Sequence, residues 1–157
     1  MTAAPFEVGD PAPEFTLPDQ HGSTVRLSEL RGNPVVLVFY PFAFTGVCTG
    51  ELGALRDELI PTAPADTRVL TVSCDSMFSL RVFAESEGFD FPLLSDFWPH
   101  GAVSSDYGVF DAERGCALRG TFVIDAGGIV RWRVINAIPD ARDVGDYRRV
   151  LEGLTAA

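Results

Sequence analysis

Two short apolar segments constrain the fold of this 157-residue chain more than any other feature. Residues 34–40 (Pro-Val-Val-Leu-Val-Phe-Tyr) and residues 68–73 (Arg-Val-Leu-Thr-Val-Ser) have the length and the β-branched composition of strands that are buried on both faces. Between the two segments, residues recur at the spacing of one helix face: Cys48, Leu52, Leu55 and Leu59. A strand, a helix and a second strand in this order predict a right-handed crossover between parallel strands, and therefore an α/β fold.

Cys48 lies where the first of these strands gives way to the helix. Pro41 sets a turn and Thr45 is a suitable N-cap, which places Cys48 in the first helical turn. Unpaired backbone N–H groups and the positive end of the helix dipole favour a thiolate there. The alternative is a cysteine that only fills space at the start of a core helix. The presence of Thr45 favours a reactive cysteine over a space-filling one, because its hydroxyl can hydrogen-bond the sulfur or the group that the sulfur attacks.

The remaining elements are predicted from alternation, capping and turn signals. In chain order they are a hairpin of short strands (residues 15–17 and 24–27), a helix from Asp75 or Ser76 to Gly88, a second hairpin (residues 116–125 with 129–135), and a helix that opens at Asp143. In the second hairpin, alternation puts Arg119 on the same face as Thr121 and on the opposite face from Cys116.

The length of the chain and its net charge limit the classes of protein to which it can belong. The chain suits a single domain over residues 1–157, and a formal net charge of −10 disfavours nucleic acid or an anionic membrane as a partner. There is no apolar run of about 18 residues that could span a bilayer. Residues 1–7 have neither the basic residues nor the apolar core of a signal peptide, so we expect a cytoplasmic protein.

The three cysteines indicate one reactive thiol rather than a disulfide scaffold. Cys48, Cys74 and Cys116 include no Cys-x-x-Cys and no metal-type spacing, which fits a reducing compartment and disfavours a thiol–disulfide oxidoreductase. We expect no metal and no other cofactor. Cys74 and Cys116 are interpreted as packed residues, and the alternative for each is a thiol that resolves an oxidised Cys48.

Five segments of the chain resemble a known family. Residues 41–48, with the pattern Pro-x-x-x-Thr-x-x-Cys, resemble the active-site signature of peroxiredoxins, thioredoxin-fold peroxidases whose cysteine attacks hydroperoxides. Residues 119–125 resemble the strand that carries the family's active-site arginine, and residues 9–17 its N-terminal entry. Residues 91–103 and 107–109 look closest to the AhpE-type peroxiredoxins of actinobacteria. The resemblance implies a thioredoxin-like α/β fold, with a central mixed sheet flanked by helices and an N-terminal β-hairpin extension.

The resemblance also implies a role for each residue of the signature. Cys48 would be the nucleophile, and the hydroxyl of Thr45 would hold the peroxide together with backbone N–H groups near Val47. Arg119 would stabilise both the sulfur and the leaving oxygen, and Pro41 would shape the loop and shield the site from water. Without the resemblance, Arg119 could equally be a surface arginine in a salt bridge.

Further residues near the signature are candidates for binding substrate. Glu51 matches an acidic position that orients the arginine in the family, although a solvent-facing glutamate is the alternative. Val47 is a further candidate through its backbone N–H group. The entrance, which would admit organic hydroperoxides with apolar tails, would be lined by Phe42, Phe44, Phe97 and Trp98. The alternative for these aromatic residues is a place in the core or in a dimer interface.

The resemblance implies a thiol-dependent peroxidase that acts through a cysteine sulfenic acid. Hydrogen peroxide and organic hydroperoxides are the expected substrates, with peroxynitrite as a further candidate. An external thiol would restore Cys48, either mycothiol with a mycoredoxin-like protein or a thioredoxin-like protein, and we expect a homodimer. Cys74 and Cys116 depart from the AhpE-type pattern, which puts strictly one-cysteine chemistry in question. The alternative function is a peroxide-sensing relay that passes oxidation to a partner.

Overall fold

A computed structural model describes residues 6–156 of the chain. Its strands and helices, in chain order, are β1 (Thr16–Pro18), β2 (Thr24–Arg26), β3 (Val35–Phe39), α1 (Gly46–Ala54), β4 (Arg68–Ser73), α2 (Met77–Glu87), β5 (Leu93–Ser95), α3 (Ala102–Asp106), β6 (Phe110–Asp111), β7 (Cys116–Ala117), β8 (Arg119–Ile124), β9 (Val130–Asn136) and α4 (Val144–Ala156). One turn of 3₁₀ helix (Leu27–Leu30) follows β2, and one π-helical turn (Leu55–Leu59) extends α1.

Five strands form one mixed sheet in the order β5-β4-β3-β8-β9. Strands β3, β4 and β5 run parallel, whereas β8 is antiparallel to both β3 and β9. The predicted parallel pair is therefore confirmed, and so is the mixed sheet. Every residue of β3 is buried because this strand lies at the centre of the sheet, with helices or loops on both faces.

The two faces of the sheet build separate cores. Alternate residues of β3 divide between them, so that Val36 and Val38 face one core while Leu37 and Phe39 face the other. Helices α1, α2 and α4 cover the first core, and the predicted helical stripe from Cys48 to Leu59 is buried in it. Helix α3 and the N-terminal hairpin of β1 and β2 cover the second core. The expected helices on a central sheet, with a hairpin extension, are confirmed.

The predicted pairing of Cys116 is wrong. The ladder between β8 and β9 ends with Arg119 opposite Asn136, where β9 itself ends, so no residue of β9 remains to pair with Cys116. Strand β7 instead pairs with β6, with Cys116 opposite Asp111. The hairpin therefore begins at Arg119, and Cys116 lies in a small two-stranded sheet of its own.

No helix within residues 6–156 is both long and apolar enough to cross a membrane. The single domain over residues 1–157 stays a prediction, since residues 1–5 and 157 lie outside the described part of the chain.

The left-handed backbone conformation at the end of α2 leads to a prediction about stability. Gly88 caps this helix with a φ of +71°, a conformation that costs an L-residue about 1–2 kcal/mol. We expect Gly88→Ala to lower the free energy of unfolding by about 1 kcal/mol, measured by urea denaturation. Gly153→Ala is the matched control, because both sites have open space for a methyl group but Gly153 lies inside α4. If Gly153→Ala lowered the free energy of unfolding as much as Gly88→Ala does, this explanation would be contradicted.

Candidate active site

Two hydrogen bonds hold the loop between β3 and α1, which leads to Cys48. The Tyr40 N–H donates to the Val72 carbonyl (3.0 Å), and the Ala43 N–H donates to the Asp75 carboxylate (2.8 Å). Helix α1 begins at Gly46, so Cys48 is its third residue and lies at the carboxyl end of β3, as expected. Its side chain is fully buried.

The first turn of α1 presents backbone N–H groups to this end of the sheet. The first main-chain hydrogen bond of the helix runs from Thr49 N–H to the Thr45 carbonyl (2.9 Å), so the N–H groups of Val47 and Cys48 precede it. Partial positive charge therefore collects around the sulfur, which favours an anion there.

Thr45 takes the predicted N-cap position, without a side-chain capping hydrogen bond. Its extended backbone (φ −81°, ψ 153°) makes it the N-cap residue, yet its side chain accepts no hydrogen bond from the helix. The hydroxyl instead donates to the Phe42 carbonyl (2.9 Å). With its proton engaged, the Thr45 oxygen is left as an acceptor for a donor that enters the site.

Arg119 contacts the sulfur. Its Nη1 lies 3.3 Å from Cys48 Sγ, and its Nε donates to the Ile138 carbonyl. Strand β8 is antiparallel to β3, so its first residue falls beside the last residues of β3, where α1 starts. The side chain of Arg119 is only 3% exposed. The surface alternative for Arg119 is therefore wrong.

Glu51 lies one helical turn after Cys48 and is also buried. Its Oε1 accepts from Arg119 Nη1 (2.6 Å), which excludes the solvent-facing alternative. Burial raises the pKa of this carboxyl group, but the hydrogen bonds and charge of Arg142 and the charge of Arg119 outweigh burial and hold the pKa below its usual value.

Arg142 is the residue of this cluster that sequence reasoning missed. Its side chain donates to both carboxylate oxygens of Glu51, from Nη2 to Oε1 (2.8 Å) and from Nε to Oε2 (3.0 Å). Its Nη1 also donates to the Gly120 carbonyl (2.8 Å). Its side chain is buried. The sequence offered one signal for Arg142. A hairpin that starts at Arg119 brings the chain back beside Arg119 when its second strand ends, so residues just before α4 are expected near the site.

The buried side chains of this cluster carry one excess positive charge. Arg119 and Arg142 contribute two positive charges and Glu51 contributes one negative charge, all of them buried. An unpaired buried charge is costly. The net positive charge of the cluster therefore lies in contact with the Cys48 sulfur, through Arg119 Nη1 at 3.3 Å.

Comparisons with known proteins show which family the chain belongs to. The sequence model of the AhpC/TSA family matches residues 8–133. The chain is 47% identical to alkyl hydroperoxide reductase E of Mycobacterium tuberculosis over 152 residues, which cover 96% of this chain and 99% of that protein. This chain belongs to the AhpC/TSA family, the peroxiredoxins. It is also 38% identical to a putative peroxiredoxin of Synechocystis, over 95% of this chain and 78% of that protein.

Solved peroxiredoxin structures share the fold. The reduced 2-Cys peroxiredoxin of Plasmodium vivax superposes with a TM-score of 0.85 at 29% identity, covering 97% of this chain and 83% of that one. The peroxidoxin BcpB of Mycobacterium tuberculosis gives a TM-score of 0.80 at 36% identity, covering 95% of this chain and 96% of that one. The thioredoxin-like fold is confirmed. The chain is a thiol-dependent peroxidase, an oxidoreductase that acts on hydroperoxides with a thiol reductant.

The expected entrance residues of this peroxiredoxin are on the surface. Phe42, Phe44 and Val47 are exposed, and Trp98 is 79% exposed in the loop after β5. The ring of Phe44 packs on Phe83 of α2, with centroids 5.0 Å apart. Pro41, by contrast, is buried in the loop that leads to the sulfur.

The other two cysteines of the peroxiredoxin are free, buried thiols. Burial raises the pKa of Cys74 to about 12, and its sulfur lies 3.9 Å from the Ser104 hydroxyl. Burial also raises the pKa of Cys116 to about 11. Both thiols are therefore weak nucleophiles in this conformation, because thiolate is the reactive form. A resolving role for either stays a prediction.

The buried carboxylate gives a pH-dependent prediction. The pKa of Glu51 in the folded protein lies below the usual 4.5, so its contribution to stability is complete above that pH and is lost as the pH falls through the lower value. We expect Glu51→Gln to lower the free energy of unfolding at pH 7 by about 3 kcal/mol, because two buried arginines lose their anion. The difference from wild type should shrink as the pH falls below about 4.5.

Urea denaturation at a series of pH values measures this difference. Glu58→Gln is the matched control, because Glu58 lies on the adjoining π-helical turn and is exposed. The control should change stability by less than about 0.5 kcal/mol at every pH. A pH-independent loss in Glu51→Gln would contradict the proposed charge pairing.

Proposed function

We propose that Cys48 reduces hydrogen peroxide and organic hydroperoxides, with peroxynitrite as a further substrate, through a sulfenic acid on its sulfur. The observation that carries this proposal is the 3.3 Å contact between Arg119 Nη1 and Cys48 Sγ in a buried site. A fixed positive charge at that distance favours the thiolate, which is the form of cysteine that attacks peroxides.

The reaction needs a nucleophile, an aligned peroxide and a stabilised leaving group. The Cys48 thiolate attacks the terminal oxygen of the peroxide, the S–O bond forms and the O–O bond breaks, and the electron pair leaves with the second oxygen. That oxygen takes a proton and departs as water or an alcohol. Two-electron oxidation of the sulfur thus balances reduction of the peroxide.

Each requirement has a candidate group at the site. The Thr45 oxygen, whose own proton goes to the Phe42 carbonyl, can accept the hydrogen bond of the peroxide O–H group. The N–H groups of Val47 and Cys48 and the guanidinium of Arg119 can donate to the oxygens as negative charge moves onto them. Glu51 and Arg142 hold Arg119 in place, and buried Pro41 keeps water from the sulfur.

Exposed apolar side chains around the loop suit a substrate with an apolar tail. We propose that Phe42, Phe44, Val47 and Trp98 contact such a tail, because they are exposed at or near the edge of the sheet where Cys48 lies. The same exposed aromatic residues support a homodimer, since exposed apolar surface of this kind is common at interfaces between subunits.

An external thiol is proposed to restore Cys48. Burial and a raised pKa disfavour attack by Cys74 or Cys116 on the sulfenic acid. The reductant is then mycothiol with a mycoredoxin-like protein, or a thioredoxin-like protein, in a cytoplasmic setting. A redox relay is less well supported, because the similar proteins include an alkyl hydroperoxide reductase of Mycobacterium tuberculosis and a peroxiredoxin of Bos taurus.

Substitution of Arg119 tests the assigned chemistry. We expect Arg119→Ala to slow the second-order reaction of Cys48 with hydrogen peroxide by about 10²–10³-fold, because the sulfur and the leaving oxygen lose a charged donor. Stopped-flow measurement of peroxide consumption provides the rates, and Cys48→Ser should abolish the reaction. Arg119→Lys keeps the positive charge but not the planar guanidinium group, and its rate should lie between those of the wild type and Arg119→Ala.

Arg114→Ala is the control for this series. Arg114 is an exposed arginine paired with Asp111 in the loop between β6 and β7, so its removal should leave the rate unchanged. Circular dichroism establishes that each variant is folded. A folded Arg119→Ala protein that reacts at the wild-type rate would refute the role of Arg119.

Intact-protein mass after one equivalent of peroxide tests the recycling chemistry. We expect the reduced protein to gain one oxygen atom, as a sulfenic acid does, and Cys74→Ser and Cys116→Ser proteins to gain it equally. A loss of two hydrogen atoms would instead mean an internal disulfide, and the variant that fails to form it would identify the resolving cysteine.

A further inference from the structure

The loop that leads to Cys48 contains a strained residue. Among the non-glycine residues within 6–156, Phe44 alone has a positive φ, at +71°. This backbone conformation crowds the Cβ atom of an L-residue, and a bulky side chain is uncommon there. Strained residues persist only where the surrounding contacts hold the backbone in place, and they cluster at functional sites. The contacts that hold Phe44 therefore bear on the function of the loop.

Hydrogen bonds fix the backbone on both sides of Phe44. Before it, the N–H group of Ala43 donates to Asp75 Oδ2 (2.8 Å). After it, Thr45 Oγ1 donates to the Phe42 carbonyl (2.9 Å), which closes the turn. The second bond lies within the loop, whereas the first ties the loop to a charged group elsewhere in the fold. A hydrogen bond to a carboxylate is stronger than one between neutral groups.

Asp75 is itself held by two neighbouring strands. It follows β4, and its Oδ2 also accepts from the hydroxyl of Ser73, the last residue of that strand (2.7 Å). Its main-chain carbonyl accepts from the hydroxyl of Ser95 in β5 (2.6 Å). Ser73 and Ser95 are both buried. Asp75 is therefore a fixed point to which the loop is tied.

We propose that Asp75 is a positioning residue for the reaction of Cys48, because it holds the strained loop in the conformation that presents Thr45 to the substrate. This inference rests on the proposed function. Thr45 lies two residues after Ala43, and the N–H groups of the first turn of α1 follow it. Without the bond to Asp75, the loop relaxes to relieve its strain, and these groups leave their places. A shift of about 1 Å in such groups costs a reaction up to about 100-fold in rate.

Substitution of Asp75 tests this role. We expect Asp75→Ala to slow the second-order reaction with hydrogen peroxide by about tenfold, measured by stopped flow. Asp75→Asn keeps an acceptor for the Ala43 N–H group, so its rate should lie between those of the wild type and Asp75→Ala. By charge alone, removal of a carboxylate near the sulfur would favour the thiolate and speed the reaction. A folded Asp75→Ala protein that reacts at the wild-type rate or faster would overturn the proposal.

Amide hydrogen exchange at Ala43 tests the tie without peroxide. Followed by NMR on the reduced protein, this exchange should be at least tenfold faster in Asp75→Ala, because the amide loses its acceptor. Unchanged exchange would overturn the proposal. A wild-type protein that does not react with peroxide would refute the proposed function, and exchange at Ala43 would still decide whether Asp75 holds the loop.

Asp19→Ala is the matched control. Asp19 is half-buried, as Asp75 is, and its Oδ1 accepts from the backbone N–H groups of His21 (2.8 Å) and Ser23 (3.0 Å) in the turn between β1 and β2. Its removal should leave both the exchange at Ala43 and the rate with peroxide unchanged. Effects equal to those of Asp75→Ala would mean a general loss of stability and would contradict the positioning role.

Two substitutions of Phe44 test the strain. Phe44→Gly and Phe44→Ala both remove the ring, but only glycine adopts a positive φ without crowding of a Cβ atom. We expect exchange at Ala43 to be about fivefold slower in Phe44→Gly than in Phe44→Ala, because glycine relieves the strain that opens the loop. Equal exchange in the two variants would show that the loop is not strained and would refute the proposal.

Discussion

The structure depends on two buried guanidinium groups that share one carboxylate beside a sulfur atom. Arg119 and Arg142 both pair with Glu51, and Arg119 also reaches Cys48. Charges out of contact with water are tolerated only when they are paired and hydrogen-bonded. The carboxylate neutralises one of the two arginines, so the second positive charge is balanced when the sulfur is ionised. In the proposed mechanism, the charges that pair within this cluster are therefore the same charges that activate Cys48.

The mixed sheet brings the members of this cluster together from distant parts of the chain. The helix that carries Cys48 and Glu51 follows the carboxyl end of β3. Because β8 is antiparallel to β3, it starts with Arg119 at this same end of the sheet. The hairpin partner β9 returns the chain to the same edge, where Arg142 precedes α4. A parallel β8 would put Arg119 at the opposite edge. The direction of one strand therefore decides whether the site exists.

The predicted elements and the observed ones differ where pairing partners, rather than local pattern, decide the structure. The central strands, the helix of Cys48 and the caps of α2 follow from apolar periodicity and capping residues, and the structure agrees. The strand assigned to Cys116 had a plausible pattern, but the register of β8 with β9 leaves it no partner in that hairpin. Thr45 occupies the N-cap position, but its hydroxyl donates to the Phe42 carbonyl and accepts no hydrogen bond from the helix.

The sequence by itself determined the α/β class, the position of Cys48 in a first helical turn and, through its resemblance to peroxiredoxins, the pairing of that sulfur with Arg119. These features depend on local pattern or on a motif of known chemistry. Only the tertiary structure decided that Glu51 is buried, that Arg142 completes the charge cluster, and that Cys74 and Cys116 are shielded thiols. Burial and charge pairing depend on which segments meet in space, and no periodicity along the chain records that.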